Sequence, residues 1–306
     1  ADSLERYPRY YNELQMCRND EYVELTKSMD QMNSQVWHDV LNVADKGYAL
    51  GWETSGFDDS GWKTIDLFDR SWGSDRGNPV NGSFWFRKTV NIPPEYAGKE
   101  AILRMGYIID ADHTYVNGTL VGHTGYQYPP RIYKIPEGVL KAGKNVIAVR
   151  LLSQSWYPGF IHDKPYKIVF DDEEISLEGE WKMHPGARMP QAAGQTFFNW
   201  KPAGLYNGMI APLANMNIKG VLWYQGEANT GRPNDYYDLM KTLIANWRAD
   251  FGDTQLPFLI VQLVNFMEPD SYPGDGAWPQ LRDVQLRLSQ TVPYTGLAVG
   301  IDAGEW

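Results

Sequence analysis

The sequence contains very little cysteine. Cys17 is the single cysteine in 306 residues, so the chain cannot form an internal disulfide. The cysteine count therefore does not indicate whether the protein belongs to an oxidising or a reducing compartment. A chain of this length suits about two domains, each long enough to bury a hydrophobic core.

Long apolar runs and an excess of positive charge are also absent. No run is long enough to span a membrane, and no basic segment followed by an apolar stretch marks a signal peptide, so the chain is either cytosolic or has lost a leader. The formal net charge of −10 argues against nucleic acid and anionic membranes as partners, because neutralising phosphates requires a clustered positive surface. We expect neither a cofactor nor a bound metal.

The most informative stretch is an apolar run that breaks into a short polar loop. Ile218 to Tyr224 is short, apolar and without a helical period, which predicts a strand buried on both faces of a parallel sheet. Gln225, Gly226 and Glu227 follow. Ligand crevices of open α/β sheets lie beyond the carboxyl ends of the strands, so this loop is a candidate site. An equally good interpretation is that Gln225 and Glu227 have no chemical role and serve only as hydrogen-bond partners of backbone groups in a tight turn.

The chain as a whole shows three successive sequence patterns. They predict a helical part at 1–47, a β-sandwich or jelly roll at 48–180 and an α/β part at 181–306. In the first, apolar residues three or four apart predict a helix with a buried stripe. They are Leu25, Met29, Met32, Val36 and Val40. The second has regularly spaced short strands, with a primed hairpin turn at Asn117-Gly118.

The third part alternates strands and helices. The pattern predicts strands at 218–224, 256–264 and 295–301, with helices at about 234–251 and 279–290. Three parallel strands need helices on both faces and leave two open edges, so we expect the sheet to be incomplete as written. The implied fold is one α/β domain split by the sandwich, with strands upstream of Ala1 and a closing helix beyond Trp306.

The middle part resembles the sugar-binding sandwich at the front of β-galactosidase-type enzymes. The resemblance rests on Gly56-Phe-Asp-Asp-Ser-Gly-Trp62, Phe84-Trp-Phe-Arg87, Tyr115-Val-Asn-Gly-Thr-Leu-Val-Gly122 and Gly143-Lys-Asn-Val-Ile147. Five tryptophans here could stack on sugar rings, although we favour packing in the core. They are Trp52, Trp62, Trp72, Trp85 and Trp156.

Val221-Leu-Trp-Tyr-Gln-Gly-Glu-Ala-Asn229 resembles the sialate O-acetylesterase family of SGNH or GDSL-type hydrolases. Further matching segments are Tyr126-Gln-Tyr-Pro-Pro-Arg131, Asp163-Lys-Pro-Tyr166, Gly204-Leu-Tyr-Asn-Gly-Met-Ile210 and Ile301-Asp-Ala-Gly-Glu-Trp306. The resemblance implies a split SGNH-type α/β/α domain interrupted by the sandwich. It also implies removal of acetyl groups from sugar hydroxyls by a serine nucleophile, a histidine base and an orienting carboxylate.

Two motifs of that family do not occur in the sequence. The Gly-Gln-Ser-Asn-Met run that carries the nucleophile is absent, and so is the Asp-x-His-Pro block that carries the histidine. The resemblance assigns the remaining catalytic roles to Gln225, Gly226 and Glu227, with Gln225 presenting its amide to the acyl oxygen. For Glu227 two roles are open, namely orienting the histidine or holding the loop by accepting backbone N–H bonds. Asn265 and Asp302 follow the ends of the next two strands, so we expect them to face the same crevice and to bind substrate. By itself the chain is expected to be inactive.

The sequence is compatible with three functions. The first is a carbohydrate O-acetylesterase acting on sialic acid or related acetylated sugars, periplasmic or extracellular by resemblance, whose missing segments belong to the same gene product. The second is a non-catalytic carbohydrate-binding protein that uses the sandwich. The third is an esterase for acetylated xylan or another plant polysaccharide, which shares the chemistry of the first and differs in substrate.

Overall fold

The computed structural model describes residues 7–266, 272 and 274–301. The chain divides into two compact units, one formed by Asn19–Thr196 and the other by Ala1–Arg18 together with Phe197–Trp306. The helices are α1 (Pro8–Cys17), α2 (Asp20–Ala44), α3 (Gly47–Leu50), α4 (Pro233–Asp250) and α5 (Ala277–Thr291). None of the described helices is long and apolar enough to cross a membrane.

The described strands number seventeen, and most of them belong to antiparallel sheets. They are β1 (Lys63–Asp66), β2 (Ser74–Asp75), β3 (Asn78–Pro79), β4 (Gly82–Ile92), β5 (Ala101–Met105), β6 (Ile108–Ile109), β7 (Ala111–Val116), β8 (Thr119–Thr124), β9 (Ile132–Ile135), β10 (Gly143–Ser153), β11 (Gly159–Phe160), β12 (Tyr166–Val169), β13 (Glu174–Ser176), β14 (Glu180–Arg188), β15 (Val221–Trp223), β16 (Phe258–Val261) and β17 (Thr295–Ala298). The protein is therefore a mixed α/β protein with several antiparallel sheets.

The unit of residues 19–196 contains a six-stranded and a four-stranded antiparallel sheet. Their strand orders are β1-β14-β4-β10-β7-β8 and β13-β12-β5-β9. One hydrophobic cluster takes residues from both sheets, including Phe86 and Ile147 of the first and Leu103 and Ile168 of the second. The alternating burial along β5 and β12 follows from this shared core, because successive side chains of a strand point to opposite faces.

The predicted hairpin turn between β7 and β8 is confirmed. Asn117 and Gly118 both have positive φ, at 51° and 87°. A primed two-residue turn requires this conformation at both central positions, and Asn-Gly adopts it with little strain. The turn sets the register in which Val116 lies opposite Thr119.

The predicted buried stripe of α2 is wrong. Its five apolar residues, Leu25, Met29, Met32, Val36 and Val40, are all exposed, each by about half of its surface. The buried residues of this helix are Trp37 and Leu41, which join a cluster with Ala111 and Leu152 of the six-stranded sheet. The helix thus packs on the sheet through a narrow i, i+4 pair near its carboxyl end, and the longer stripe faces away from it.

Four of the five tryptophans interpreted as core residues are in fact packed in the interior. Trp52, Trp62 and Trp85 are buried in one aromatic cluster, and Trp72 packs against the main core. Trp156 differs, since 60% of it is exposed. The core interpretation is wrong for that residue.

The other unit contains a parallel sheet with the order β15-β16-β17. Strand β16 pairs with β15 from Phe258 to Ile260 and with β17 from Phe258 to Val261. Helix α4 begins at Pro233, which suits a first helical position, and Gly252 follows its end with a φ of 67°. Helix α4 thus lies one residue from its predicted position at each end.

The expectation that Ile218–Tyr224 is buried on both faces is wrong. Trp223 packs with α4, α5 and Ile260 in a single hydrophobic cluster. The side chains that alternate with it are exposed, Leu222 by 78% and Tyr224 by 56%. Both helices contribute to the cluster on the Trp223 side, so the described sheet is covered on one face only.

Candidate functional site

The loop after β15 carries the predicted catalytic residues. Gly226 is buried and precedes a short 3-10 turn formed by Glu227–Asn229. Gln225 is half-buried and Glu227 is exposed. The loop therefore fixes its glycine in the interior while it leaves the amide and the carboxylate near the surface.

The main chain of Gln225 is held from two helices. Its carbonyl oxygen accepts hydrogen bonds from the hydroxyl of Tyr236 on α4 at 2.9 Å and from Nε2 of Gln285 on α5 at 3.2 Å. Trp223 Nε1 donates to the Tyr236 hydroxyl at 3.1 Å. Burial raises the pKa of Tyr236, so the hydroxyl keeps the proton that it donates.

Gln285 was not among the residues that the sequence suggested. It is fully buried, and its Oε1 accepts the N–H of Leu263, just after β16, at 3.0 Å. One side chain thereby joins the ends of two neighbouring strands. A signal was present in the sequence, because Gln285 lies on the apolar stripe formed by Leu281, Val284 and Leu288, where a polar residue needs a partner.

Gly226 is required by packing. A Cβ built on Gly226 would lie 2.8 Å from Leu281 Cδ2 and 3.1 Å from Leu263 Cδ1. Such distances leave no room for a side chain unless the core moves. The glycine therefore allows the loop to lie directly against α5, which brings the Gln225 carbonyl within reach of Gln285.

The side chains of the loop bond mainly to one another. Gln225 Nε2 donates to Asn229 Oδ1 at 2.8 Å, and the Gly226 N–H donates to Glu227 Oε2 at 2.9 Å. A side-chain amide has two N–H donors, so the bond to Asn229 leaves one for another acceptor. The Glu227 carboxylate meanwhile acts as a local acceptor that holds the turn.

Asn265 lies at the same edge of the sheet, four residues beyond the end of β16. Its Oδ1 is buried and has no hydrogen-bond partner within the described part of the chain. Buried polar atoms normally have one, so this acceptor is available to a water or a ligand. Asp302, the other predicted substrate-binding residue, lies outside the described residues.

The unit that contains this loop has no histidine. All five histidines of the sequence lie between His38 and His184, and its two serines after residue 196 are Ser271 and Ser289. Ser289 is within α5 and its hydroxyl donates to the Leu286 carbonyl at 2.7 Å, whereas Ser271 is not described. Ser3, which also belongs to this unit, lies outside the described residues as well. No cluster of metal-ligating side chains occurs among the described residues.

Residues 182–302 match the model of a family described as carbohydrate esterases, sialic acid-specific acetylesterases. This segment includes Gln225, Gly226, Glu227 and Asn265. The chain is 37% identical over 115 residues to the sialate O-acetylesterase of Homo sapiens, covering 33% of this chain and 22% of that protein. It is 40% identical over 111 residues to the protein of the same name from Mus musculus, covering 32% and 20%. The matched segment thus spans about a fifth of the curated relatives.

A solved structure of a β-glucuronidase from Ruminococcus gnavus also aligns with part of the chain. The alignment covers 47% of this chain and 25% of that chain, at 17% identity and a TM-score of 0.30.

Proposed function

We propose that this chain is part of a carbohydrate O-acetylesterase that removes acetyl esters from sialic acid or related acetylated sugars by a serine-hydrolase mechanism. The observation that carries the proposal is the position of the Gln225-Gly226-Glu227 loop. It follows a parallel strand, is fixed by two helices, and falls within the segment that matches the acetylesterase family. Parallel α/β sheets bind their ligands at this edge.

In the proposed reaction Gln225 stabilises negative charge on the acyl oxygen. Its side-chain amide keeps one donor beyond the bond to Asn229, and its main chain is anchored by Tyr236 and Gln285. A donor that is already positioned needs little reorganisation as the charge develops, and is worth about 3 kcal/mol of transition-state stabilisation. Glu227 holds the Gly226 N–H and so shapes the loop, while Asn265 contributes its buried oxygen to substrate binding.

The sequence of the unit that contains the loop has no histidine and no Gly-Gln-Ser-Asn-Met run. We propose that further segments of the same gene product supply them, and that the 306 residues alone do not hydrolyse esters. The proposal includes an SGNH-type fold for the unit with the parallel sheet and a galactose-binding-like β-sandwich for the two antiparallel sheets. It also includes a periplasmic or extracellular location.

The test is acetate release by the full gene product, with O-acetylated N-acetylneuraminic acid and acetylated xylan as alternative substrates. Replacing Gln225 by Ala should lower kcat about a hundredfold to a thousandfold with little change in KM, because the amide acts mainly on the transition state. The control is Gln290→Ala, which removes an exposed glutamine at the end of α5.

The outcomes separate the alternatives. Activity on acetylated xylan alone would support the proposed role of the loop, but it would identify acetylated xylan as the substrate in place of sialic acid. Absence of acetate release from both substrates by a product that contains a nucleophile and a base would reject the esterase function. An unchanged kcat for Gln225→Ala would remove that residue from the oxyanion role.

A further inference from the structure

A cavity of about 260 Å³ lies at one end of the four-stranded sheet in the unit of residues 19–196. Three chain segments form its walls: the end of β5, the residues before β9 and the residues before β12. The lining residues are Arg104, Gly106, Tyr107, Pro130, Arg131, Ile132, Lys164 and Pro165.

Backbone hydrogen bonds join the three segments around the cavity. The Arg131 N–H donates to the Gly106 carbonyl at 2.8 Å, the Met105 N–H to the Arg131 carbonyl at 2.9 Å, and the Gly106 N–H to the Pro165 carbonyl at 3.0 Å. These bonds continue the pairing of β5 with β9 and β12. The cavity is therefore preformed, and a ligand would not have to order a loop on binding.

The charge in the cavity is positive and only partly balanced. Arg131 is fully buried and forms an ion pair with Asp112, with Nε 2.8 Å from Oδ1. The guanidinium of Arg104 has no hydrogen bond or ion pair among the described residues, and the Lys164 ammonium lies 5.6 Å over the ring of Tyr107 without an acidic partner there. The neighbouring Asp163 is exposed, and its Oδ1 lies 2.6 Å from Nδ1 of His162.

The remaining walls are apolar. Tyr107 contributes its ring beside the cations of Arg104 and Lys164. Three compact aliphatic surfaces come from Pro130, Ile132 and Pro165. An inorganic anion would use the cations and leave these surfaces unused. A sugar ring presents C–H groups that pack on aromatic and aliphatic surfaces, and a carboxylate on that ring would meet Arg104, whose planar fork suits carboxylate geometry.

From this combination we infer that the cavity binds one sugar residue that carries a carboxylate, such as a uronic or a sialic acid. The site lies in a different unit from the Gln225 loop and takes unesterified sugar. It would add a glycan-binding function to the protein, and it does not rest on the proposed esterase activity. Its volume is slightly below the usual range for small-molecule pockets, roughly 300–1,000 Å³, which favours a single residue over a chain.

The experiment is calorimetric titration of the 306-residue chain. The probes are methyl glucuronide and the methyl glycoside of N-acetylneuraminic acid, each compared with methyl glucoside, acetate and inorganic phosphate. We expect at least one acid sugar to bind about tenfold or more tightly than the neutral sugar and both small anions, and added salt to weaken that binding.

Three variants locate the site. Arg104→Gln and Lys164→Gln should each weaken the acid sugar about tenfold, and Tyr107→Ala should weaken the sugar without changing any phosphate binding. Lys144→Gln is the matched control, because it removes the same charge from an exposed position on β10. Circular dichroism and the urea midpoint establish that each variant is folded.

Four results would overturn the inference. Equal binding of acid and neutral sugars would remove the role of the cations. Binding of acetate or phosphate as tight as that of the acid sugars would make this an anion site without sugar recognition. An equal loss in Lys144→Gln would assign the effect to net charge, and absence of binding by any probe would reject the site.

Discussion

The hydroxyl of Tyr236 donates a hydrogen bond to the main-chain oxygen of Gln225 over 2.9 Å. The same hydroxyl accepts the indole N–H of Trp223, so one buried side chain of α4 bonds to residues on both sides of Tyr224. The path of the chain from the strand into the loop is therefore set from a helix that follows it in sequence.

Replacing Tyr236 by Phe should lower the free energy of unfolding of this unit by about 1–3 kcal/mol, because it leaves the indole N–H of Trp223 without its acceptor and removes one of the two donors to the Gln225 carbonyl. Urea unfolding followed by tryptophan fluorescence measures the change. Tyr237→Phe is the control, since the Tyr237 hydroxyl bonds to Thr291 at the surface. Equal effects of the two substitutions would show that the buried bond has no special importance.

Replacing Gly226 by Ala should destabilise the unit by about 1–3 kcal/mol, because the added methyl group meets Leu281 and Leu263 at 2.8 and 3.1 Å. The comparison is Gly231→Ala in the same loop region, where no atom lies within 4 Å of the new Cβ. The measurement is again the urea midpoint. A Gly226→Ala variant as stable as Gly231→Ala would mean that the core adjusts freely at this point.

Replacing Glu227 by Gln should have a mild effect on catalysis by the full gene product, with a loss of kcat below about tenfold. The glutamine oxygen can still accept the Gly226 N–H, which is the contact that the carboxylate makes in the structure. Asp238→Asn, at an exposed position on α4, controls for loss of charge. A loss of about a hundredfold or more would instead assign Glu227 to orienting the catalytic base.

The stability of the antiparallel unit should fall between about pH 6.5 and pH 4. Burial, followed by the charges of Arg150, His123 and His38, lowers the pKa of His113 from its ordinary value of 6.5 to about 4. Below pH 6.5 the unfolded chain therefore binds a proton that the folded chain takes up only near pH 4, and this favours unfolding. The pKa of His38 is also lowered, which adds an effect of the same sign.

Urea unfolding at pH 7.5 and at pH 5 measures this effect. His113→Asn should reduce the difference in stability between the two pH values, because it removes the group whose pKa is lowered by folding. A His113→Asn variant with the pH difference of the parent chain would place the titrating group elsewhere.

Local sequence signals determined most of the secondary structure. Helix α4 begins at Pro233 and is followed by Gly252, and Asn117-Gly118 forms the hairpin turn. Proline restricts the backbone conformation, whereas glycine and asparagine permit a positive φ. The loop at Gln225 was found from the break between an apolar strand and polar residues. In each case the cause lies within a few residues of the effect.

Burial and partnership were decided by the tertiary structure. The stripe from Leu25 to Val40 has the period of a packed helix face, yet it is exposed. Periodicity shows that a helix face is apolar, but it does not show which residues, if any, cover that face. The hydrogen bond of Gln285 to Gln225 joins residues 60 positions apart. The cavity joins Arg104, Arg131 and Lys164 from three separate segments. Only the folded chain brings such residues together, since contacts distant in sequence depend on strand order and helix packing.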